Sequence, residues 1–259
     1  MTPLGPREDG AGLAPRARWT AAVAAVYAGQ VARARVARVP LLFVAGLQSI
    51  GLLVLLRGVV DDADVAEKRQ VVAGAVVLVI AFVALNLLAQ RFGHLRAHGG
   101  LDYYAALGTP PSAVVLGTAA SYATFAVPGV VATAVTGALL YDLPLGRLWV
   151  LLPVAVLGGA ALAGLGATLG LLAPKPEVAT VAGQLGMTAV LFLGLVEPPG
   201  ALRPVAALLP STYAVEALRE SFAAAPRYGA LAADLAICAA VAVVALAGAA
   251  AAFRRAVRR

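Results

Sequence analysis

Apolar residues run in long blocks from Val39 almost to the C-terminal arginines, with short polar interruptions between them. A helix that crosses a bilayer needs about 20 mostly apolar residues. Blocks near or above that length lie at about 39–56, 71–89, 113–140, 148–172, 178–196 and 230–253. The pattern predicts an all-α integral membrane protein, with 39–259 forming a single six-span transmembrane domain. Pro40 falls in the first turn of its span, where a missing N–H costs little. Pro128-Gly129 lies in the middle of an uncharged run and predicts a kink or a broken helix there. Gly158, Gly159, Gly164, Gly166 and Gly170 give the fourth span close-approach surfaces of the small-xxx-small kind.

Two segments break the pattern. Residues 1–15, rich in Pro, Gly and Ala, read as a disordered cytoplasmic tail. Over 16–38, Trp19, Val23, Val26 and Tyr27 fall on one helical side with arginines around them, which predicts an amphipathic helix lying in the interface; the alternative is a cytoplasmic extension of the first span. Before residue 38 there is no compact apolar core of about 7–15 residues leading to a cleavage site, so the N-terminus is expected to be retained. Between Glu197 and Arg227, Pro198, Pro199, Pro204 and Pro210 cut the chain into pieces too short to span. A short helix over 214–225 carries Glu216, Arg219 and Glu220. This segment reads as a re-entrant or surface-lying helical pair between the fifth and sixth spans, because irregular backbone at membrane depth must be buried in protein.

Composition agrees with the pattern: 61% of residues are hydrophobic and 13% charged, far from the roughly 25% charged residues of a soluble domain. Charge then adds orientation. Arg7, Arg16, Arg18, Arg33, Arg35, Arg38, Arg91, Arg96, Lys175, Arg254, Arg255, Arg258 and Arg259, most of the 20 basic residues, fall on one side of a six-span topology, against Glu8, Asp9, Asp102 and Glu177 among the 13 acids. The positive-inside rule puts both termini and both elbows in the cytoplasm. The net charge of +7 flanks apolar segments and forms no separate face, which argues against a nucleic-acid partner. The single Cys238 allows no intrachain disulfide.

No catalytic or metal constellation emerges. A P-loop needs G-x-x-x-x-G-K-[ST], and neither Lys68 nor Lys175 sits in one. His94 and His98 have a metal-pair spacing without the glutamate of H-E-x-x-H or a third ligand beyond Asp102. No serine lies in G-x-S-x-G. Polar groups inside spans are functional candidates by default, and Gln48, Asn86 and Asp234 are the candidate conduit residues.

The most informative stretch is the elbow from Arg91 to Gly117. A basic helix end, a Gly99-Gly100 break, the apolar-aromatic run Leu101-Asp102-Tyr103-Tyr104-Ala105-Ala106-Leu107 and Gly108-Thr109-Pro110-Pro111 follow one another. Asp102 suits the positive end of a short helix, and Leu101, Tyr104 and Leu107 align on one side. On physical grounds an exposed face of this kind fits either a partner groove or the lipid interface.

The run H-G-G-L-D-Y-Y-A-A-L-G-T-P-P-S from His98 resembles the G-T-L-D-Y-L-x-A-x-P-x-S segment of type-2 ABC exporter permeases. A-P-K-P-E-V-A at 173–179 and L-P-S-T-Y-A-V-E-A-L-R at 209–219 also resemble that family, in its order and over nearly the whole chain. The link Gly108-Thr109-Pro110-Pro111 is longer than the family's, and His98-Gly99 replaces an acid. The resemblance implies that Gly100, Leu101, Asp102, Tyr103, Tyr104 and Leu107 form a coupling helix on a separate ABC ATPase subunit. It implies that Pro198 to Ala225, with Pro210, Tyr213, Glu216 and Arg219, is the extracellular re-entrant pair. It further implies two ATPase copies holding ATP and Mg²⁺, a second permease copy as a homodimer, surrounding membrane lipids, a bacterial inner-membrane location and outward transport of a drug, lipid or glycolipid. This chain itself would bind no cofactor. The alternative of a different class is a scaffold or secondary transporter with no ATPase partner, for which charged residues deep in several spans would be expected.

Overall fold

The computed structural model describes residues 18–33, 47, 50–58, 64–195 and 203–258. The tail 1–15, most of the first span, Gln48, Glu197, Pro198 and Pro199 lie outside the described residues. Within them every regular element is helical. Four helices are long and apolar enough to cross a membrane: Val65–Ala97 (α2), Pro111–Leu140 (α4), Leu148–Leu172 and Tyr228–Val257 (α9). The third of these opens with a single 3-10 turn before Leu151–Leu172 (α5). Pro176–Leu195 (α6) is helical where the sequence places a fifth span. Shorter helices are Trp19–Arg33 (α1), Gly100–Ala106 (α3), Arg203–Ala207 (α7) and Pro210–Ser221 (α8).

Local chemistry sets several boundaries. Asp64 caps α2, its carboxylate accepting from the Glu67 N–H at 2.8 Å, which satisfies one of the N–H groups a helix start leaves unpaired. At the other end of α5, Arg96 reaches across from α2 and donates to the carbonyls of Leu171 and Ala173, both at 2.8 Å. A cation there meets the negative end of the α5 dipole and the orphan carbonyls together. α4 runs unbroken through Pro128 for 30 residues, so of the kink or break expected at Pro128-Gly129 the break does not occur. The lost N–H leaves one carbonyl without its intrahelical donor, but the helix continues on both sides, as membrane helices tolerate when neighbours pack around them.

α2 sits at the centre of the bundle, with 11 consecutive buried residues from Val71 to Ala81. It meets α4, α5, α6 and α8. Its regular winding changes at Phe82–Leu87, which form a π-helical segment, a feature no periodicity argument foresaw. The wider turn pushes the Ala84 and Leu85 carbonyls towards α5. There a Cβ on Gly166 would run into the Leu85 oxygen, and one on Gly170 into the Ala89 oxygen. Gly164 faces the other way, where a Cβ would stand 2.6 Å from the Ala245 backbone of α9. The glycine stripe therefore lets α5 approach α2 on one side and α9 on the other.

At the end of the bundle holding the α2 N-terminus, the Tyr141 hydroxyl donates to the Leu53 carbonyl at 2.9 Å. There Arg147 also donates to the Ala223 carbonyl at 2.6 Å, past the end of α8. α7 and α8 form a tight pair, with the Thr212 hydroxyl on the Ala206 carbonyl at 2.6 Å and the Tyr213 hydroxyl on Ala207 at 2.9 Å. The α8 face formed by Ser211, Ala214, Val215, Ala217 and Leu218 is buried against α2, α5 and α9.

Candidate functional site

α3 is built from turn chemistry. Gly99 adopts φ +69° and Gly108 φ +64°, a left-handed conformation that L side chains rarely take. At its C-terminus the Gly108 N–H bonds the Ala105 carbonyl at 2.9 Å and the Thr109 N–H the Tyr104 carbonyl at 3.1 Å. This 5→2 and 6→1 pair is a Schellman motif. Pro110 precedes α4 and Pro111 occupies its first turn. A rigid stop thus stands on each side of a two-turn helix.

Of the residues expected on the contact face, the structure exposes Asp102, Tyr103 at 64% and Leu107 at 60%, and buries Leu101 at 3%. Leu101 belongs to the main apolar core, and Tyr104 packs partly against it. The expected alignment of Leu101, Tyr104 and Leu107 on one outward side is therefore corrected. Leu101 and Tyr104 anchor the helix, while Leu107 lies just beyond its last turn and points outward with Tyr103. Gly100 lies against Leu95, whose Cδ2 would be 2.6 Å from an added Cβ, so the helix rests directly on the end of α2. Ala105, Gly108 and Thr109 line a small cleft with Phe253, Arg254 and Arg258, which brings the basic end of α9 beside α3.

A bridge that the sequence did not reveal holds α3 from the other side. Gln30 of α1 donates to the Tyr104 hydroxyl at 3.1 Å and accepts from the Arg91 guanidinium at 3.4 Å. α1 packs along α4 through Ala22, Val26 and Gln30, with the Trp19 indole N–H donating to Ser112 at 3.1 Å. Tyr27 and Thr124 exchange a hydroxyl hydrogen bond at 3.2 Å. The signal that could have found this bridge is Gln30 at i+8 from Ala22, a polar residue continuing an inward stripe.

Of the candidate conduit residues within the described structure, Asn86 and Asp234 do not come together. Asn86, 2% exposed, accepts from Gln90 at 3.1 Å and donates to Gln184 of α6 at 3.4 Å. It forms a polar ladder between two helices in the half of α2 nearer Arg91. Asp234 sits in the opposite half, within the electrostatic reach of Glu216, Glu220 and Arg227. Glu216 pairs with Arg219 at 2.8 Å. Glu220 accepts from the Arg227 backbone N–H at 2.9 Å and from its guanidinium at 3.0 Å. That hydrogen bonding holds the Glu220 carboxyl below its ordinary range. Pro210 is buried and its carbonyl faces the Cys238 thiol at 3.6 Å. His94 and His98 stack at 5.8 Å between ring centroids, and no metal-binding group of three or more ligands occurs among the described residues.

Residues 61–251 match a family model described as ABC-2 family transporter protein. No curated protein matches the chain.

Proposed function

The chain belongs to the ABC-2 family of transporter proteins, and on that premise we propose that it is the permease subunit of an ATP-driven exporter, paired with a second copy and two separate ATPase subunits. ATP and Mg²⁺ belong to those ATPase subunits. The observation that carries the reading is α3. It presents Asp102, Tyr103 and Leu107 to solvent while Leu101, Tyr104 and Gly100 fasten it to the bundle. An exposed tyrosine beside an exposed leucine on a rigid two-turn helix is suited to a partner groove. When the ATPase pair closes on α3, the displacement passes through Leu95 to α2 and through Gln30 to α1, and the spans open outward.

On this reading, α2, α4, α5, α6, α9 and the helix containing 50–58 are the six spans, and α7 with α8 is the extracellular re-entrant pair. The end carrying Arg33, Arg96, Lys175, Arg254 and Arg258 faces the cytoplasm of a bacterial inner membrane, in keeping with the positive-inside rule. Val181, Leu185 and Phe192 form an exposed apolar stripe on α6, which suits a second copy of the chain. The cargo is a hydrophobic or amphipathic molecule such as a drug, lipid or glycolipid.

Copurification tests the partner. The tagged chain should retain an ABC ATPase in detergent, and the combined Tyr103→Ala and Tyr104→Ala variant should lose it together with transport. Unaltered transport in that variant, or no associated ATPase, overturns the reading.

A further inference from the structure

Beside the Gln30 bridge lies a cavity of about 440 Å³ lined by Leu87, Gln90, Arg91, His94 and Tyr122. Its volume is within the range of ligand clefts, roughly 300–1,000 Å³. Its chemistry is one-sided. Arg91 brings a permanent cation, His94 two ring nitrogens and Gln90 an amide, and among the described lining residues there is no acid. The Arg91 guanidinium is only partly used. One terminal nitrogen donates to Gln30 across a long 3.4 Å, while Nε is buried without a hydrogen-bond partner among the described residues. Arg91 lines the cavity, so the terminal nitrogens of its guanidinium are the groups that could donate to an anion entering it. Leu87 and Tyr122 wall the cavity on the side of the spans, whereas His94 is exposed at its mouth. Apolar wall and polar mouth follow one another along α2 within two turns. That order matches the boundary between acyl chains and headgroups.

We propose that this cavity is a binding site for a phosphate-bearing anion, with the Arg91 guanidinium as its main contact and His94 and Gln90 as further donors. The phosphate would be that of an anionic phospholipid headgroup at the inner face or a soluble phosphate. Arg presents a planar fork suited to two phosphate oxygens. The site rests on placement of the chain in a membrane and not on the ATPase pairing, so failure to copurify an ATPase leaves it standing.

The test uses the full chain in nanodiscs of phosphatidylcholine, with and without phosphatidylglycerol, and in phosphatidylcholine discs titrated with inorganic phosphate. The readouts are lipid retention by native mass spectrometry and the thermal unfolding midpoint. Phosphatidylglycerol should be retained and raise the midpoint. Arg91→Gln should weaken retention at least about tenfold, the size expected for losing a charge-assisted hydrogen bond. His94→Glu, a change at an exposed position that keeps the fold, should weaken it by repulsion. Arg254→Gln, another basic residue near the same end, should leave it unchanged. Protection by inorganic phosphate alone, lost in Arg91→Gln, would support the site with a soluble source. Equal behaviour in both lipid compositions with no phosphate effect, or equal loss in Arg254→Gln, overturns the proposal.

Discussion

The Gln30 side-chain amide donates to the Tyr104 hydroxyl across 3.1 Å, joining α1 to α3 over 74 positions of sequence. Because Gln30 also accepts from Arg91, one amide holds three elements: α1, α3 and the end of α2. Removing either partner of one such hydrogen bond costs about 0.5–1.5 kcal/mol. Tyr104→Phe is expected to destabilise by that amount. Gln30→Leu should cost more, since it also strips an acceptor from Arg91. The double variant should be less than additive, read by thermal unfolding in a double-mutant cycle. Strict additivity would mean that the bond contributes nothing.

Leu101 and Tyr103, two residues apart, should separate stability from coupling. Leu101→Ala removes a core side chain that is 3% exposed and should cost about 2–5 kcal/mol. Tyr103→Ala, at a position 64% exposed, should leave the unfolding midpoint within experimental error. It should still reduce stimulation of the copurified ATPase. If the two variants behave alike in both assays, the division of α3 into an anchoring and a presenting face is wrong.

Gly166→Ala and Gly170→Ala should each destabilise by roughly 1–3 kcal/mol, the range for overpacking a close contact, because the added methyl meets backbone of α2. Gly248→Ala is the control: a Cβ there has nothing within 4 Å. That change should be neutral or slightly stabilising, as alanine is the better helix former. Melting curves in one detergent rank the three, and a Gly248 variant as damaging as the others would contradict the packing.

Arg96→Ala should loosen the end of α5 by about 1–3 kcal/mol, since two carbonyls lose their charged donor. Arg96→Lys should recover much of the loss, because a single terminal nitrogen of the guanidinium serves both oxygens and an ammonium also carries several donors. Hydrogen exchange at the amides around Leu171 to Ala173 gives the local readout.

Acidification should weaken the contact between Glu220 and Arg227. The folded-state carboxyl titrates below its ordinary value of 4.5 because of its hydrogen bonds to Arg227. Its contribution is therefore present above the unfolded value and lost as pH falls through the lower folded one. Arg227→Gln should flatten the stability profile at acid pH, below the unfolded value of 4.5. The effect should be small, since Arg227 is 77% exposed. An unchanged acid limb in the variant would remove Glu220 from the account.

Element type and several boundaries were legible because they depend on length and polarity alone. α4 begins at Pro111 and ends at Leu140, against an expectation of 113–140, and α3 occupies Gly100–Ala106 where glycines and Asp102 marked a short helix. Which side of α3 turns inward was not legible: Leu101 and Leu107 are equally apolar, and only the position of Leu95 beneath Gly100 decides between them. The continuity of α4 through Pro128 was also hidden, since the sequence shows the missing N–H and not the neighbours that tolerate it. Gln30 read as one polar residue on an amphipathic helix because its partners lie 61 and 74 positions away.

The π segment at Phe82–Leu87 gives α2 two phases. One extra residue in a helical turn rotates everything beyond it by about 100° relative to an uninterrupted α-helix. The half before it presents a buried apolar surface from Val71 to Ala81; Asn86, within the segment, meets α6, and the half after it brings Arg91 and Arg96 to bear on α1 and α5. A single-residue deletion there would restore ideal winding with both halves still in phase, whereas winding all of these residues as an α-helix would turn Arg91 and Arg96 away from their partners together. Straightening the central helix without that deletion would break its Arg91 link to α1 and its Arg96 link to α5 at once.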